Sequence, residues 1–288
     1  MNPGKEFRKR LEAGPIACLG AYDALTSRLV QQTGARAMYI SGYAAAAAAL
    51  GYPDLGLVSQ TEMAEHIRRI CRVTDLPVIA DADTGYGGIL SVQRTIELWE
   101  AAGAAGLHVE DQGFPKKCGH IAGKTVIPVE EMTQKIKAAI AAKENSDFYI
   151  IARTDAIAVT GLSDAIERCK RFADAGADAL FVDAPESIDQ IQKIGEALKG
   201  CGRPLVFNSA RTGKSPFLSE KALQELGFTI VLYPIEAMTA AHHAVKEIFE
   251  VIVREGRTDT IADRISSFSE INELVQLPQY VRHESSFG

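Results

Sequence analysis

Pro77-Val78-Ile79-Ala80-Asp81-Ala82-Asp83 and Gly103-Ala104-Ala105-Gly106-Leu107-His108-Val109-Glu110-Asp111 are the stretches on which the reading of the fold turns. Each is a short run of small and apolar residues ending in paired carboxylates. That is the pattern of a strand buried on both faces with polar groups at its C-terminal end. Between them, residues 91–102 space apolar side chains three and four apart, and Gly103-Ala104 follows as a helix stop. Strand, helix, stop and strand make one β–α–β unit.

The alternation continues in both directions. Apolar runs at 16–20, 37–41, 77–82, 106–110, 148–153, 179–183, 204–208 and 229–233 read as strands, and helical patterns include 59–72, 129–143 and 162–175. Gly34-Ala35 and Gly176-Ala177 repeat the stop. Eight such units in about 250 residues predict an α/β fold, the (β/α)8 TIM barrel. A doubly wound open sheet rarely needs so many regular units. No linker rich in Pro, Gly and Ser divides the chain, so residues 1–288 read as a single TIM-barrel domain. Helical patterns at 236–254 and 266–275 form a C-terminal extension, about 236–288, with no barrel strand to cover.

Composition narrows the function. Hydrophobic residues at 47% and charged residues at 24% describe a soluble globular chain with a sizeable core. A net charge of -6 argues against a nucleic-acid partner, which needs a basic surface. The small-apolar run at 44–50 is too short to cross a bilayer, and the charged N-terminus lacks the apolar stretch of a secretory signal. Cys18, Cys71, Cys118, Cys169 and Cys201 are odd in number and show no metal-pair spacing. The expectation is a reduced, cytoplasmic protein without a membrane partner.

In a barrel, chemistry gathers at the C-terminal ends of the strands. Those ends carry Tyr39, Ser41, Asp81, Asp83, His108, Glu110, Asp111, Arg153, Asp155, Asp183, Glu186, Asn208, Arg211 and Tyr233. So many charges on one rim are costly unless a cation and an anionic ligand balance them. Asp81, Asp83 and Glu110 offer only oxygen, which suits Mg²⁺, with Mn²⁺ as a second choice. The run Lys116-Lys117-Cys118-Gly119-His120 follows. A thiol among lysines and a histidine is electropositively placed, which lowers its pKa and makes it useful in proton transfer. A solvated basic turn with an idle thiol is equally open on spacing alone. His108, within a strand, reads as a satisfied core histidine, and the other cysteines as small buried hydrophobes.

These residues resemble the isocitrate lyase and phosphoenolpyruvate mutase superfamily along nearly the whole chain. The resemblance runs through Tyr39-Ile40-Ser41-Gly42-Tyr43, Gly51-Tyr52-Pro53-Asp54-Leu55-Gly56, Asp81 to Gly87, Gly106 to Gln112, Lys116 to His120 and Ile151 to Ala156. Lys-Lys-Cys-Gly-His resembles the mark of the lyase branch, with its alkylmalate and 2-methylisocitrate lyases. The superfamily's mutases and phosphonopyruvate hydrolases lack that cysteine.

The resemblance implies a modified barrel whose last helix is swapped between neighbours, usually in a homotetramer. It implies Mg²⁺ near Asp81, with Asp83 and Glu110 reaching it directly or through water. Ser41, Gly42 and Tyr43 would hold one end of the substrate, Arg153 and Asn208 would grip carboxylate, and Asp54 would belong to a gating region. Gly119 and Asp183 join the substrate set. A 2-hydroxy dicarboxylate would then be cleaved between C2 and C3. Tyr39 is a candidate base for the hydroxyl, and Cys118 the carbon acid's proton donor, with Lys117 and His120 supporting the thiolate.

Two positions depart from the 2-methylisocitrate lyase pattern. Arg211 stands near a position where that pattern carries a glutamate, and Asp183 near another. Arg211 either welcomes a substrate carboxylate or is a loop arginine paired with Asp183 or Glu186. The expected substrate is a substituted malate such as 2,3-dimethylmalate, giving pyruvate and propionate. 2-Methylisocitrate cleavage and oxaloacetate hydrolysis are the enzymatic alternatives, and a non-catalytic dicarboxylate-binding barrel is the rival from another class.

Overall fold

The structure is a computed structural model and describes residues 2–119, 123–211 and 213–287. Eight parallel strands close into a barrel in sequence order: β1 (Ile16–Gly20), β2 (Ala37–Ile40), β3 (Val78–Asp81), β4 (Gly106–Glu110), β5 (Tyr149–Thr154), β6 (Ala179–Val182), β7 (Leu205–Asn208) and β8 (Phe228–Tyr233). The seam is closed by β1 on β8, from Ile16 opposite Ile230 to Leu19 opposite Tyr233. The strands expected from the sequence form within a residue of their predicted ends.

Twelve α-helices surround and extend the barrel among the described residues: α1 (Pro3–Glu12), α2 (Ala24–Gln32), α3 (Gly42–Ala45), α4 (Gln60–Cys71), α5 (Ile89–Ala102), α6 (Val129–Ala141), α7 (Leu162–Asp174), α8 (Ile188–Leu198), α9 (Glu220–Glu225), α10 (Glu236–Glu255), α11 (Phe268–Leu274) and α12 (Leu277–Ser285). Local chemistry explains several starts. Ser59 and Glu62 form a reciprocal capping box at α4, and Ser267 and Glu270 do so at α11.

Alternation along the strands divides the core in two. Tyr39, Ile79, Ile151, Phe181, Val206 and Leu232 point inward and fill the barrel. Met38, Ile40, Val78, Leu107, Ile150 and Leu180 point outward and pack under the helices. The interior cluster also includes Phe7 of α1, fully buried and edge-on to Tyr149 at 4.9 Å between ring centroids. α1 therefore plugs the N-terminal end of the barrel, and burying that one ring stabilises the fold by about 1.5–3 kcal/mol. The opposite end stays open and polar.

The C-terminal helices are placed differently. On α10 to α12, Val245, Phe249, Val253, Phe268 and Tyr280 are exposed. No helix among the described residues is long and apolar enough to cross a membrane.

Candidate active site

The open end holds a cavity of about 270 Å³ between the strand ends. One wall is charged: Asp54, Asp81, Glu110, Lys116, Arg153 and Asp183 line it, with Tyr39, Ser41 and Tyr43 beside them. Lys117, Cys118 and Gly119 also line it, as do Asn208, Ala210, Gly213, Pro234 and Ile235. Residues from seven separate stretches of chain converge here because parallel strands deliver every C-terminal end to one face.

Local backbone aims the acids. Asp81 ends β3, and its two oxygens accept from the N–H groups of Gly42 (2.9 Å) and Asp83 (2.8 Å). A Cβ on Gly42 would fall 2.9 Å from Asp81 Oδ2, so only glycine lets α3 start this close to the carboxylate. Ser41 caps the same helix. Asp83 and Ala184 adopt left-handed backbone (φ 47° and 53°), a strain of about 1–3 kcal/mol each at strand ends that carry functional side chains.

Arg153 on β5 is the hub. Nε lies 3.1 Å from Glu110 and 2.9 Å from Asp155, and Nη2 lies 2.8 Å from Asp183. Burial opposes its charge, and the surrounding carboxylates more than restore it. Lys116 is buried against Asp54 and, at 2.6 Å, Asp83. Lys124, also buried, reaches Asp155 at 2.7 Å. Six buried carboxylates (Asp54, Asp81, Asp83, Glu110, Asp155 and Asp183) thus share three buried cations. The shortfall shows in the acids. Burial, with the charges of Asp81 and Asp54, pushes Asp83 up to about 7. Burial likewise pushes Glu110 well above the usual carboxylate range.

A divalent cation suits this donor set. Glu110 Oε1 is buried with no hydrogen-bond partner among the described residues, and the acids offer only oxygen. No group of three acidic, histidine or cysteine side chains among the described residues is drawn tightly enough to ligate an ion by itself. Mg²⁺ tolerates that, because it keeps several waters and needs only one or two carboxylates. Asp81 and Glu110 face the cavity, whereas Asp83 is engaged by Lys116, so of the three expected ligands Asp83 is the least available.

Other expectations change at this point. Tyr39, read as a base, is buried beside Asp81, and burial first and that charge second push its phenol well above 10. It carries its proton and shares a 2.6 Å hydrogen bond with His108 Nε2. His108 is not a satisfied core histidine: its Nδ1 is buried without a partner among the described residues, and burial lowers it to about 4, so it is neutral at pH 7. Of the paired lysines, Lys117 donates to the carbonyl of Gly123 (2.9 Å), and it is Lys116 that sits among the acids. Asp183 is the partner of Arg153 and Asn208 rather than an open carboxylate.

Arg211 is exposed, and its neighbours Ala210 and Gly213 line the cavity in its place. It is not paired as expected either, since Asp183 meets Arg153 and Glu186 meets Lys214 at 3.2 Å. His120 lies outside the described residues. The reading of the sequence missed Lys124 and Gln112. Lys124 carries no motif, and Gln112 only ends a quoted one.

Comparison with known proteins agrees with this architecture. The family described as phosphoenolpyruvate phosphomutase matches residues 7–253. Carboxyvinyl-carboxyphosphonate phosphorylmutase of Arabidopsis thaliana is 42% identical over 297 residues, covering 100% of this chain and 87% of that protein. 2,3-Dimethylmalate lyase of Eubacterium barkeri is 36% identical over 289 residues, covering 100% and 99%. Among solved structures, oxaloacetate acetylhydrolase with 3,3-difluorooxaloacetate superposes with a TM-score of 0.94 at 33% identity, covering 100% and 97%. Phosphonopyruvate hydrolase with oxalate and Mg²⁺ gives 0.89 at 31%, covering 99% of each chain. A match of this extent makes the chain a member of the phosphoenolpyruvate mutase/isocitrate lyase superfamily, enzymes that act as lyases and mutases on small molecules.

Proposed function

We propose that this enzyme is a Mg²⁺-dependent carbon–carbon lyase that cleaves a substituted malate, such as 2,3-dimethylmalate, into pyruvate and a monocarboxylic acid, here propionate. One observation carries the reading: Cys118 shares a single cavity with the Arg153 hub and its acids, and Ala210, Pro234 and Ile235 line the same cavity. The charged side suits the 2-hydroxy acid half. The three apolar residues suit an alkyl-bearing leaving acid.

In this reading Arg153 and Ser41 hold the carboxylate of the 2-hydroxy acid end. Tyr39, which keeps its proton, hydrogen-bonds the C2 hydroxyl instead of acting as a free base. The hydroxyl proton passes to a carboxylate of the acidic wall other than the two that would hold the cation. The C2–C3 bond then breaks, C2 becomes the carbonyl of pyruvate, and the bonding pair passes to the leaving acid as a carboxylate enediolate. Cys118 donates a proton to its carbon. A Mg²⁺ ion held through Asp81 and Glu110 would supply Lewis-acid stabilisation of the negative charge on the 2-oxo acid oxygens. The exposed apolar side chains of α10 to α12 support assembly into a homotetramer by helix exchange.

The test follows product release with Mg²⁺ from a panel of three acids: pyruvate from 2,3-dimethylmalate and 2-methylisocitrate, and oxalate with acetate from oxaloacetate. The reading expects turnover of the alkylmalate above the others, abolition by EDTA, and recovery with Mg²⁺ or Mn²⁺. Activity that survives metal removal would rule out the cation. Hydrolysis of oxaloacetate as the fastest reaction would move the assignment to the second reading, which the fold match to oxaloacetate acetylhydrolase favours.

Arg211 supplies a smaller prediction. As an exposed side chain off the cavity wall, its replacement by alanine is expected to leave KM within about twofold, the usual effect of a surface change. A rise of about 10- to 150-fold would return it to carboxylate binding.

A further inference from the structure

We infer that Gln112 and Lys124 are positioning residues that set Cys118 over the cavity by pinning the backbone on either side of it. The inference rests on the proton-donor role proposed for Cys118. It assigns a task to two buried side chains that have none in the reaction itself.

Gln112 lies just beyond β4 and is 1% exposed. Its Oε1 accepts from the N–H of Lys117 (3.0 Å), and its Nε2 donates to the Lys117 carbonyl (2.8 Å). One side-chain amide therefore holds both backbone groups of the residue before the cysteine. On the other side, the Lys124 ammonium donates to the carbonyl of Gly119, the residue after it. The same ammonium donates to Asp155 Oδ1 at 2.7 Å.

Asp155 is itself immobilised. Arg153 grips it through Nε (2.9 Å) and Nη2 (3.1 Å), and its N–H donates to Asp111 (3.0 Å). Both clamps thus end on the rigid rim of the barrel, at β4 and β5. Gly119 shows how closely the backbone is seated. A Cβ there would fall 1.8 Å from Asp183 Oδ2 and 2.6 Å from Arg153 Nη2. Any side chain at that position would lift the segment off the Arg153–Asp183 pair.

The geometry matters because proton transfer to carbon tolerates little misplacement, and a shift of about 1 Å is worth about 10²-fold in rate. A thiol on an unclamped loop would sample many positions. Clamps made of buried, hydrogen-bonded side chains restrict it to one.

The experiment uses Gln112→Leu, Lys124→Met and Lys124→Arg in the full chain. Two readouts are taken at fixed pH: kcat and KM with 2,3-dimethylmalate and Mg²⁺, and the rate of iodoacetamide alkylation at Cys118, followed by mass spectrometry of its peptide. Lys124→Met is expected to lower kcat by about 10- to 150-fold, the value of one charge-assisted hydrogen bond, with KM changed far less. Alkylation of Cys118 should accelerate as the seated population falls. Gln112→Leu should move both readouts the same way, and Lys124→Arg should recover part of the loss.

Alkylation rates within about twofold of the parent in both Lys124→Met and Gln112→Leu would overturn the inference, even where thermal stability drops, because a merely structural role does not move them. If Lys124→Met fails to fold, Gln112→Leu and Lys124→Arg decide by the same assay. Full activity in Cys118→Ser would instead overturn the proton-donor reading, and the alkylation measurement does not depend on it.

Discussion

Cys118→Ser is expected to lower turnover of 2,3-dimethylmalate by about 10²- to 10⁴-fold, the usual contribution of a positioned acid or base. KM should change little. The substitution keeps nearly the same volume at a half-buried position, so folding and substrate binding should survive. What it removes is acidity. A hydroxyl in the same place is a far weaker acid than a thiol, and the enediolate carbon needs a proton before it can leave as a carboxylic acid. Pyruvate release, coupled to oxidation of a nicotinamide cofactor by lactate dehydrogenase, measures the effect. A serine variant within about twofold of the parent would show that another group protonates the carbon. The clamps around Cys118 would then need a different explanation for their burial.

Arg153→Met should do more damage to the fold than to any single binding constant. Arg153 is the cation common to Glu110, Asp155 and Asp183, each within 3.1 Å. Removing it leaves buried carboxylates without their counter-charge, a loss of about 3–5 kcal/mol. At this chain length that corresponds to a Tm lowered by about 5–15 °C.

The pH dependence follows from Asp155. Burial would raise its pKa, but Arg153 and Lys124 outweigh burial and hold it well below the ordinary carboxylate value. A depressed folded pKa contributes stability that is present above the unfolded value, about 4, and is lost as pH falls through the folded one. The gap between parent and Arg153→Met should therefore be widest at neutral pH and narrow in acid. Thermal unfolding at pH 7 and well below pH 4 tests this, and equal Tm values for the two proteins at pH 7 would sink it. Arg153→Lys is expected to restore only part, since one ammonium cannot serve three carboxylates arranged around a planar fork.

The strands were legible in the sequence because each is a local pattern: a short run of small and branched apolar residues, several of them preceded by a glycine stop. The carboxylates at 81, 83 and 110 and the anchor at 153 were legible for the same reason, since a strand end in a barrel points to one face whatever the loops do. Other features depend on contacts made far along the chain. α1 became a plug only once the barrel had closed and left a hole for Phe7. Neighbouring lysines 116 and 117 are equivalent on paper, and the closed rim sends one among the acids and the other to a backbone carbonyl. Arg211 sits near Asn208 in sequence, but the turn after β7 faces Ala210 and Gly213 inward and leaves the arginine outside. The burial and the Asp81 charge that raise the Tyr39 phenol are likewise set only once the barrel has closed.

The sequence by itself determined the barrel, the acidic rim and the thiol that follows it, because these rest on local patterning and on residue chemistry. Only the tertiary structure decided which charges meet, how short of cations they are, and what holds Cys118 still. Those are properties of side-chain direction and burial, and they exist only after eight strand ends have been brought to one face.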